Sequence, residues 1–278
     1  IATASDNSKQ PENQITWYRA DFPPVTILQG QHADSGFFDK TMFFLINHLP
    51  GYTHKFKTAN FKRIIEELKN NKNVCCPSLY KTADRERFIA FSAPAMVVLP
   101  NGIITSKNNL EKLRPHIDQN GMISLRSLLQ DNSITTGISI GRIYSGGIDQ
   151  ILSEFKGKKN IFVHSGQNVF FDLLSMMYKG RIDCLIGYPA EAEYFTKNNE
   201  TFSNQRYIPI KESTVDFTIG YIGCSNNEWG REIIKQIDEV VLEHRDNTFI
   251  NFYEDWLEES TKDYHLNLAR EYFKTLSQ

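Results

Sequence analysis

The sequence predicts an α/β protein assembled from two α/β units. Three observations carry that prediction. Short apolar or β-branched runs, such as residues 74–79 and 217–223, alternate with segments whose apolar residues recur at helical spacing. The strand–helix–strand order needs crossover connections, and so a mostly parallel sheet covered by helices. The chain has 278 residues, enough for two domains of ordinary size.

The elements follow in order. Residues 15–18 read as a strand that ends in the turn RADFPP. Residues 37–49 carry apolar side chains at helical spacing. Residues 61–70 form an amphipathic helix with Phe61, Ile64, Ile65 and Leu68 on one side. Residues 74–79 are a buried strand, and 95–105 a longer one. In the second unit, 124–130 is helical. Residues 136–140 are a strand, followed by GRIYSGG and a helix to residue 155. Residues 160–164 are a strand, 167–179 a helix, 182–188 a strand and 206–210 a short strand. An apolar strand over 217–223 and an amphipathic helix over 229–244 come next, with Ile233, Ile234, Ile237, Val240 and Val241 on one side. The aromatic-rich tail, 249–276, is also helical.

Composition excludes several classes. With 31 Lys and Arg against 33 Asp and Glu there is no surplus of cations to displace counterions from a nucleic acid. No apolar stretch approaches the roughly 20 residues that cross a bilayer. The opening residues IATASDNSKQPENQ lack the basic and apolar regions of a signal peptide, and the first is Ile, which fits a processed, exported chain. The four cysteines have no zinc-like spacing, so no metal or cofactor is expected. G-x-S-x-G, H-E-x-x-H and P-loop motifs are absent.

Several short motifs occur in a telling order: DFPPV at Asp21, GFFDK at Gly36, FKRIIEEL, TADRERFIAFSAP from Thr82, and KGRIDCLIGY from Lys179. With them the chain resembles the family 3 extracellular solute-binding proteins, the polar-amino-acid receptors of ABC importers, from about residue 15 to 244. The most specific match is a Thr three residues before an Arg, with Phe-Ser six beyond it. The resemblance implies a class II periplasmic-binding-protein-like fold: two mostly parallel sheets flanked by helices, joined by two hinge strands, with the ligand in the cleft between lobes. It places residues 1–106 and 214–278 in lobe one and 107–213 in lobe two, with hinge bending around Thr105 and Lys211.

In open α/β sheets, ligands bind at the carboxyl ends of strands. Those segments hold Arg19, Phe22, Ser78, Tyr80, Arg85, Ser139, Arg142, Tyr144 and Tyr188. By resemblance Arg85 grips a ligand carboxylate with a two-pronged hydrogen bond, as an Arg fork can and Lys cannot. The alternative is a surface Arg paired with Asp84 or Glu86. Thr82 is expected as a helix N-cap. Phe22 and Phe61 match aromatic walls, although aromatics are also ordinary core.

The departures from the family point away from an ordinary α-amino acid. Arg19 and Tyr188 stand where carboxylates usually hold the ammonium, Tyr80 replaces a smaller hydroxyl residue, and Gly141-Arg142 replaces Gly-Ser/Thr. An ammonium beside Arg19 is repelled, unless Asp21, Glu191 or Glu193 compensates. The expectation is a monomeric, extracytoplasmic binding protein without catalytic activity. It takes a small anionic or carboxylate-bearing ligand and delivers it to a membrane ABC permease. The alternatives are a sensor module of the same fold and an enzyme like the cyclohexadienyl dehydratases, with His164 or Glu191 as acid or base. The fold also implies that the strand returning from lobe two lies antiparallel beside the third strand of lobe one. That places Cys224 near Cys75 and Cys76, within reach of a disulfide to one of them.

Overall fold

A computed structural model describes residues 13–70, 73–166, 168–197, 199, 202 and 204–276. The opening twelve residues and Gln167, where a helix was expected to begin, lie outside the described residues. In chain order the elements are β1 (Gln14–Arg19), α1 (Phe37–Asn47), β2 (Thr53–Thr58), α2 (Phe61–Lys69), β3 (Val74–Leu79), α3 (Ala83–Glu86), β4 (Ile89–Phe91), β5 (Met96–Val98) and β6 (Gly102–Ser106). They continue with α4 (Leu110–Leu113), α5 (Leu125–Gln130), β7 (Thr136–Ser139), α6 (Ile148–Glu154), β8 (Ile161–His164), α7 (Val169–Tyr178), β9 (Cys184–Gly187), α8 (Pro189–Lys197) and β10 (Gln205–Ile208). The last are β11 (Thr218–Ser225), α9 (Glu228–His244), α10 (Ile250–Glu254) and α11 (Glu259–Thr275). Among the described residues no helix is long and apolar enough to cross a membrane.

By its internal contacts the chain divides into two compact units. The first is Ile1–Met96 with Ile219–Phe252, and the second is Val97–Thr218 with Tyr253–Gln278. The first unit carries a sheet of order β2-β1-β3-β11-β4. β1 runs parallel to both β2 and β3, whereas β11 is antiparallel to β3 and β4. In β3, all six residues are buried, so the sheet is covered on both faces. Side chains alternate between those faces. Cys76 therefore packs with Ile64 and Leu68 of α2, and Cys75 points the other way. Cys224 pairs in register with Cys75. The bond forms between these two, with the sulfurs 1.99 Å apart, and Cys76 remains a free buried thiol. Strand alternation thus selects between the two candidates.

The second unit carries the order β10-β6-β9-β7-β8, with β7 parallel to β8 and β9, and β6 antiparallel to β9 and β10. Again alternation fills both faces. Ile103 and Ile186 join one core with Leu125, Leu128 and Tyr144, and Ile104 and Leu185 join another with Phe170, Leu173 and Leu174.

Three expectations differ from what is observed. The long strand over 95–105 is two strands, because Pro100 between them offers no N–H to a ladder. Thr105 lies inside β6, paired with Cys184 and Arg206, so the chain leaves the first unit earlier, at Met96. The tail from Tyr253 belongs to the second unit rather than the first. It is fastened there by the Arg206–Glu258 ion pair, by Leu99 N–H donating to the Tyr253 hydroxyl, and by the His265 ring held between Glu254 and the Val97 carbonyl.

The KEST segment is also tied to its own unit. Lys211 pairs with Asp118, and the Glu212 carboxylate accepts the Ser124 hydroxyl and the N–H groups of Leu125 and Arg126, capping α5. Those hydrogen bonds outweigh the upward push of burial and leave its carboxyl below the ordinary glutamate value.

Candidate ligand-binding site

In the first unit, the carboxyl ends of β1 and β3 bring most of the expected residues to one edge of the sheet. Thr82 caps α3, its hydroxyl accepting from Arg85 N–H at 3.3 Å. That turn aims the Arg85 side chain back along the strand, where Nη1 donates to the Tyr80 carbonyl at 2.9 Å. The neighbouring acids are engaged elsewhere: Asp84 with Arg87 and Glu86 with Lys81. Among the described residues no carboxylate pairs with Arg85. The residue is half-buried, and its guanidinium is anchored at Nη1.

Exposed rings stand on the same edge. Phe22, 44% exposed, meets Phe61, 37% exposed, edge to face with centroids 6.2 Å apart. Tyr80 is 51% exposed. Large aromatics left this open are not part of the core. Ser78, by contrast, is buried within β3.

Arg19 does something else. Its Nη1 binds Asp34 at 2.5 Å and Asp39 at 3.1 Å, and its guanidinium carbon lies 5.6 Å from the Phe56 ring centroid and 5.9 Å from that of Phe43. Asp39 is buried and also accepts the N–H groups of Ile27 and Gly36. Burial pushes the Asp39 carboxyl up, and the Ile27 hydrogen bond and Arg19 pull against it. The positive charge of Arg19 is therefore spent on fixing the turn before α1. Repulsion of a ligand ammonium by Arg19 does not survive this pairing. Asp21 receives Leu28 N–H.

The second unit places Ser139, Arg142 and Glu191 around a cavity of about 410 Å³, walled also by Ile140, Gly141, Asn168, Val169, Phe170, Phe171 and Phe195. Arg142 forms a two-pronged ion pair with Glu191, at 3.2 and 2.6 Å. Its guanidinium carbon is 5.3 Å from the Tyr188 ring centroid, 5.5 Å from Phe170 and 5.8 Å from Tyr144. Burial disfavours the Arg142 charge, but Glu191 more than offsets this and holds it in the charged form. Tyr144 was expected to line the site. It is instead 2% exposed, filling the core beside Leu125 and Leu128, with its hydroxyl accepting Ser139 N–H at 2.9 Å. Sequence order put Tyr144 at a strand end; only packing shows that its ring turns inward.

The remaining acid–base candidates are also engaged. Nε2 of His164 pairs with Asp172 at 3.1 Å, Glu193 accepts from Gln205, and Glu191 is held by Arg142. Among the described residues no cluster of His, Cys, Asp and Glu could hold a metal. A second cavity of about 710 Å³ lies at the opposite, amino ends of the first unit's strands, lined by Tyr52, Asn73 and the start of α9. Lys235 pairs locally with Glu232, and Arg231 with Asn226. What the sequence missed is the bracing of these sites. α8, which supplies Glu191, and β2, which supplies Phe56, are short, mostly polar segments without a strong periodic signal.

Comparison with known proteins gives a consistent result. The model of the bacterial extracellular solute-binding proteins, family 3, matches residues 15–275. No curated protein matches. Among solved structures, the probable amino-acid ABC transporter extracellular-binding protein ytmK of Bacillus subtilis is similar with a TM-score of 0.62 and 18% identity, over 88% of this chain and 97% of that one. Substrate-binding domain 2 of Lactococcus lactis GlnP, in an open conformation, gives 0.62 and 14%, over 90% and 98%. A polar amino acid ABC uptake transporter substrate-binding protein of Streptococcus thermophilus gives 0.61 and 18%, over 88% and 86%. The fold is that of the class II periplasmic binding proteins.

Proposed function

Because the chain belongs to the bacterial extracellular solute-binding proteins of family 3, we propose that it captures a small carboxylate-bearing solute outside the cytoplasm and presents it, as a monomer and without chemical change, to a membrane ABC importer. The observation that carries the ligand class is Arg85. Its guanidinium is preset by the Tyr80 carbonyl and has no carboxylate partner among the described residues, while Asp84 and Glu86 are both taken. Planar two-pronged donors with exposed aromatics beside them suit a carboxylate on a compact organic body.

Asp21, Asp34, Asp39, Glu191 and Glu193 each already accept a donor of the protein, which lowers their pull on a ligand ammonium. A thermal-shift screen of carboxylates, amino acids and neutral solutes tests the reading, since a ligand specific to the folded state raises the melting temperature by mass action. Carboxylates without an amino group are expected to stabilise the wild type and to lose that effect in Arg85→Ala. Stabilisation that survives R85A unchanged overturns the carboxylate grip.

A further inference from the structure

The first unit holds a titratable side chain in a hydrogen bond that only its neutral form can make. Trp17 of β1 is fully buried, and its indole Nε1–H donates to Nδ1 of His54 in β2 at 3.0 Å. An indole nitrogen donates and never accepts. Nδ1 therefore offers a lone pair, and the proton of the neutral ring sits on Nε2, which faces the Leu49 carbonyl at 3.4 Å. We propose that His54 is an acid-sensitive latch on β2: protonation of its ring breaks the Trp17 bond and lets this edge strand open while the rest of the sheet stays closed.

A second proton on the ring goes to Nδ1, where it meets the indole N–H head on. The bond is lost and a buried donor is left without its acceptor. β2 is poorly held otherwise. It is the outer strand of the order β2-β1-β3-β11-β4, and five of its six residues are exposed. Local opening is drawn from such segments. In the register Trp17 stands opposite Phe56, so its bond to His54 is a diagonal tie between the two strands. Burial disfavours the charged ring and holds the His54 pKa below the ordinary histidine value, with the Leu49 hydrogen bond pulling the other way. Beside Leu49 stand His48 and Tyr52, engaged with the Phe44 carbonyl and Gln236. β2 itself adds Lys55 and Lys57, while Arg19 of β1 pairs with Asp39 of α1, and Glu232 of α9 with Lys235. None of these charges acts on His54, whose protonation is governed by burial and the Leu49 carbonyl. With the folded-state value below the ordinary 6.5, the contribution of the latch is complete above 6.5 and is lost as pH falls through the folded value. Opening of β2 also withdraws Phe56 from the Arg19 guanidinium, whose carbon lies 5.6 Å from the ring centroid.

Amide hydrogen exchange over residues 53–58, corrected for the intrinsic pH dependence of exchange, tests the latch. Between about pH 7.5 and about pH 5 the protection of β2 in the wild type is expected to fall about fivefold or more, with β3 unchanged. The Trp17 indole resonance should shift over the same range. His54→Asn offers Trp17 an amide oxygen that does not titrate, and its β2 should keep its protection at both pH values. The proposal is overturned if wild-type β2 is equally protected at both, or if the acid loss persists in H54N. Should H54N not fold, nitrogen NMR of the wild-type ring decides alone. The Nε2–H tautomer at neutral pH, with a titration that coincides with the indole shift, supports the latch. An Nδ1–H tautomer, a titration that leaves the indole resonance in place, or no titration before the whole unit unfolds overturns it. Arg85 enters none of these readouts, so the latch and the carboxylate grip stand or fall separately.

Discussion

Arg85 of the first unit and Arg142 of the second both stand at the carboxyl ends of strands, yet they are in opposite electrostatic states. Arg85 leans on a backbone carbonyl and has no carboxylate partner among the described residues. Arg142 is closed on Glu191 beneath three rings. The difference lies in what the neighbouring helices deliver. α3 is one turn long and its acids face Lys81 and Arg87, whereas α8 brings Glu191 directly onto Arg142. An arginine at a strand end is thus an open donor or an internal brace depending on whether a carboxylate is packed beside it. Arg19, tied to Asp34 and Asp39, falls on the same side as Arg142. The units also differ in how their sheets are held: the first has the Cys75–Cys224 bond, and the second has only the free, buried Cys184, whose thiol burial pushes up to about 12.

The largest effect expected from breaking this contrast is at the staple. The disulfide closes a sequence separation of 149 residues, and Cys75→Ser with Cys224→Ser should cost about 4 kcal/mol of stability, concentrated in the first unit. Denaturant unfolding followed at Trp17, Trp229 and at second-unit probes would show it. Equal loss in both units would show that the sheet does not depend on the bond separately. Thiol counting on unfolded, unreduced protein should give two free thiols, from Cys76 and Cys184.

Next comes Arg19→Ala, which strips a buried carboxylate, Asp39, of its cation and should cost about 3 kcal/mol of stability. The same change at Arg85 should leave the melting temperature of the ligand-free protein nearly unchanged. Arg85→Ala should instead weaken carboxylate binding by about 2 kcal/mol or more, roughly thirtyfold. If R19A and R85A exchange these phenotypes, the brace and the donor have been assigned the wrong way round.

The smallest expected effect is at Glu212, whose capping of α5 is worth about 1 kcal/mol. Its folded-state carboxyl lies below the ordinary value, so its contribution is complete above that value and fades as pH falls through the folded one. Glu212→Gln should therefore destabilise the second unit at neutral pH and make little difference in strong acid. A pH-independent loss would show that packing rather than charge is responsible.

The elements that the sequence made legible are those with strong period. β3 is an unbroken apolar run, and α9 has an apolar stripe from Ile233 to Val241. The Thr82–Arg85 spacing announced both a cap and a guanidinium at a strand end, and both are present. β2 and α8 were not legible. β2 reads THKFKT, with five of its six residues exposed, and α8 carries only a weak apolar face. Their place in the fold comes from neighbours rather than from their own pattern. Tyr144 illustrates the same limit at one residue: chain order put it at the site, and packing put it in the core.

By itself, then, the sequence determined the alternation of strands and helices, the division into two α/β units, and which residues reach the carboxyl ends of the strands, because those follow from periodicity and local turn chemistry. Three things were decided only in three dimensions. Strand register chose Cys75 over Cys76 as the partner of Cys224. Docking placed the tail from Tyr253 with the second unit. Ion pairing across distant segments, Arg19 with Asp34 and Arg142 with Glu191, separated these braced arginines from Arg85, which leans on a backbone carbonyl. Charge partners 15 and 49 residues apart leave no periodic trace in a chain. They are fixed by which surfaces the folded core brings within about 4 Å of each other.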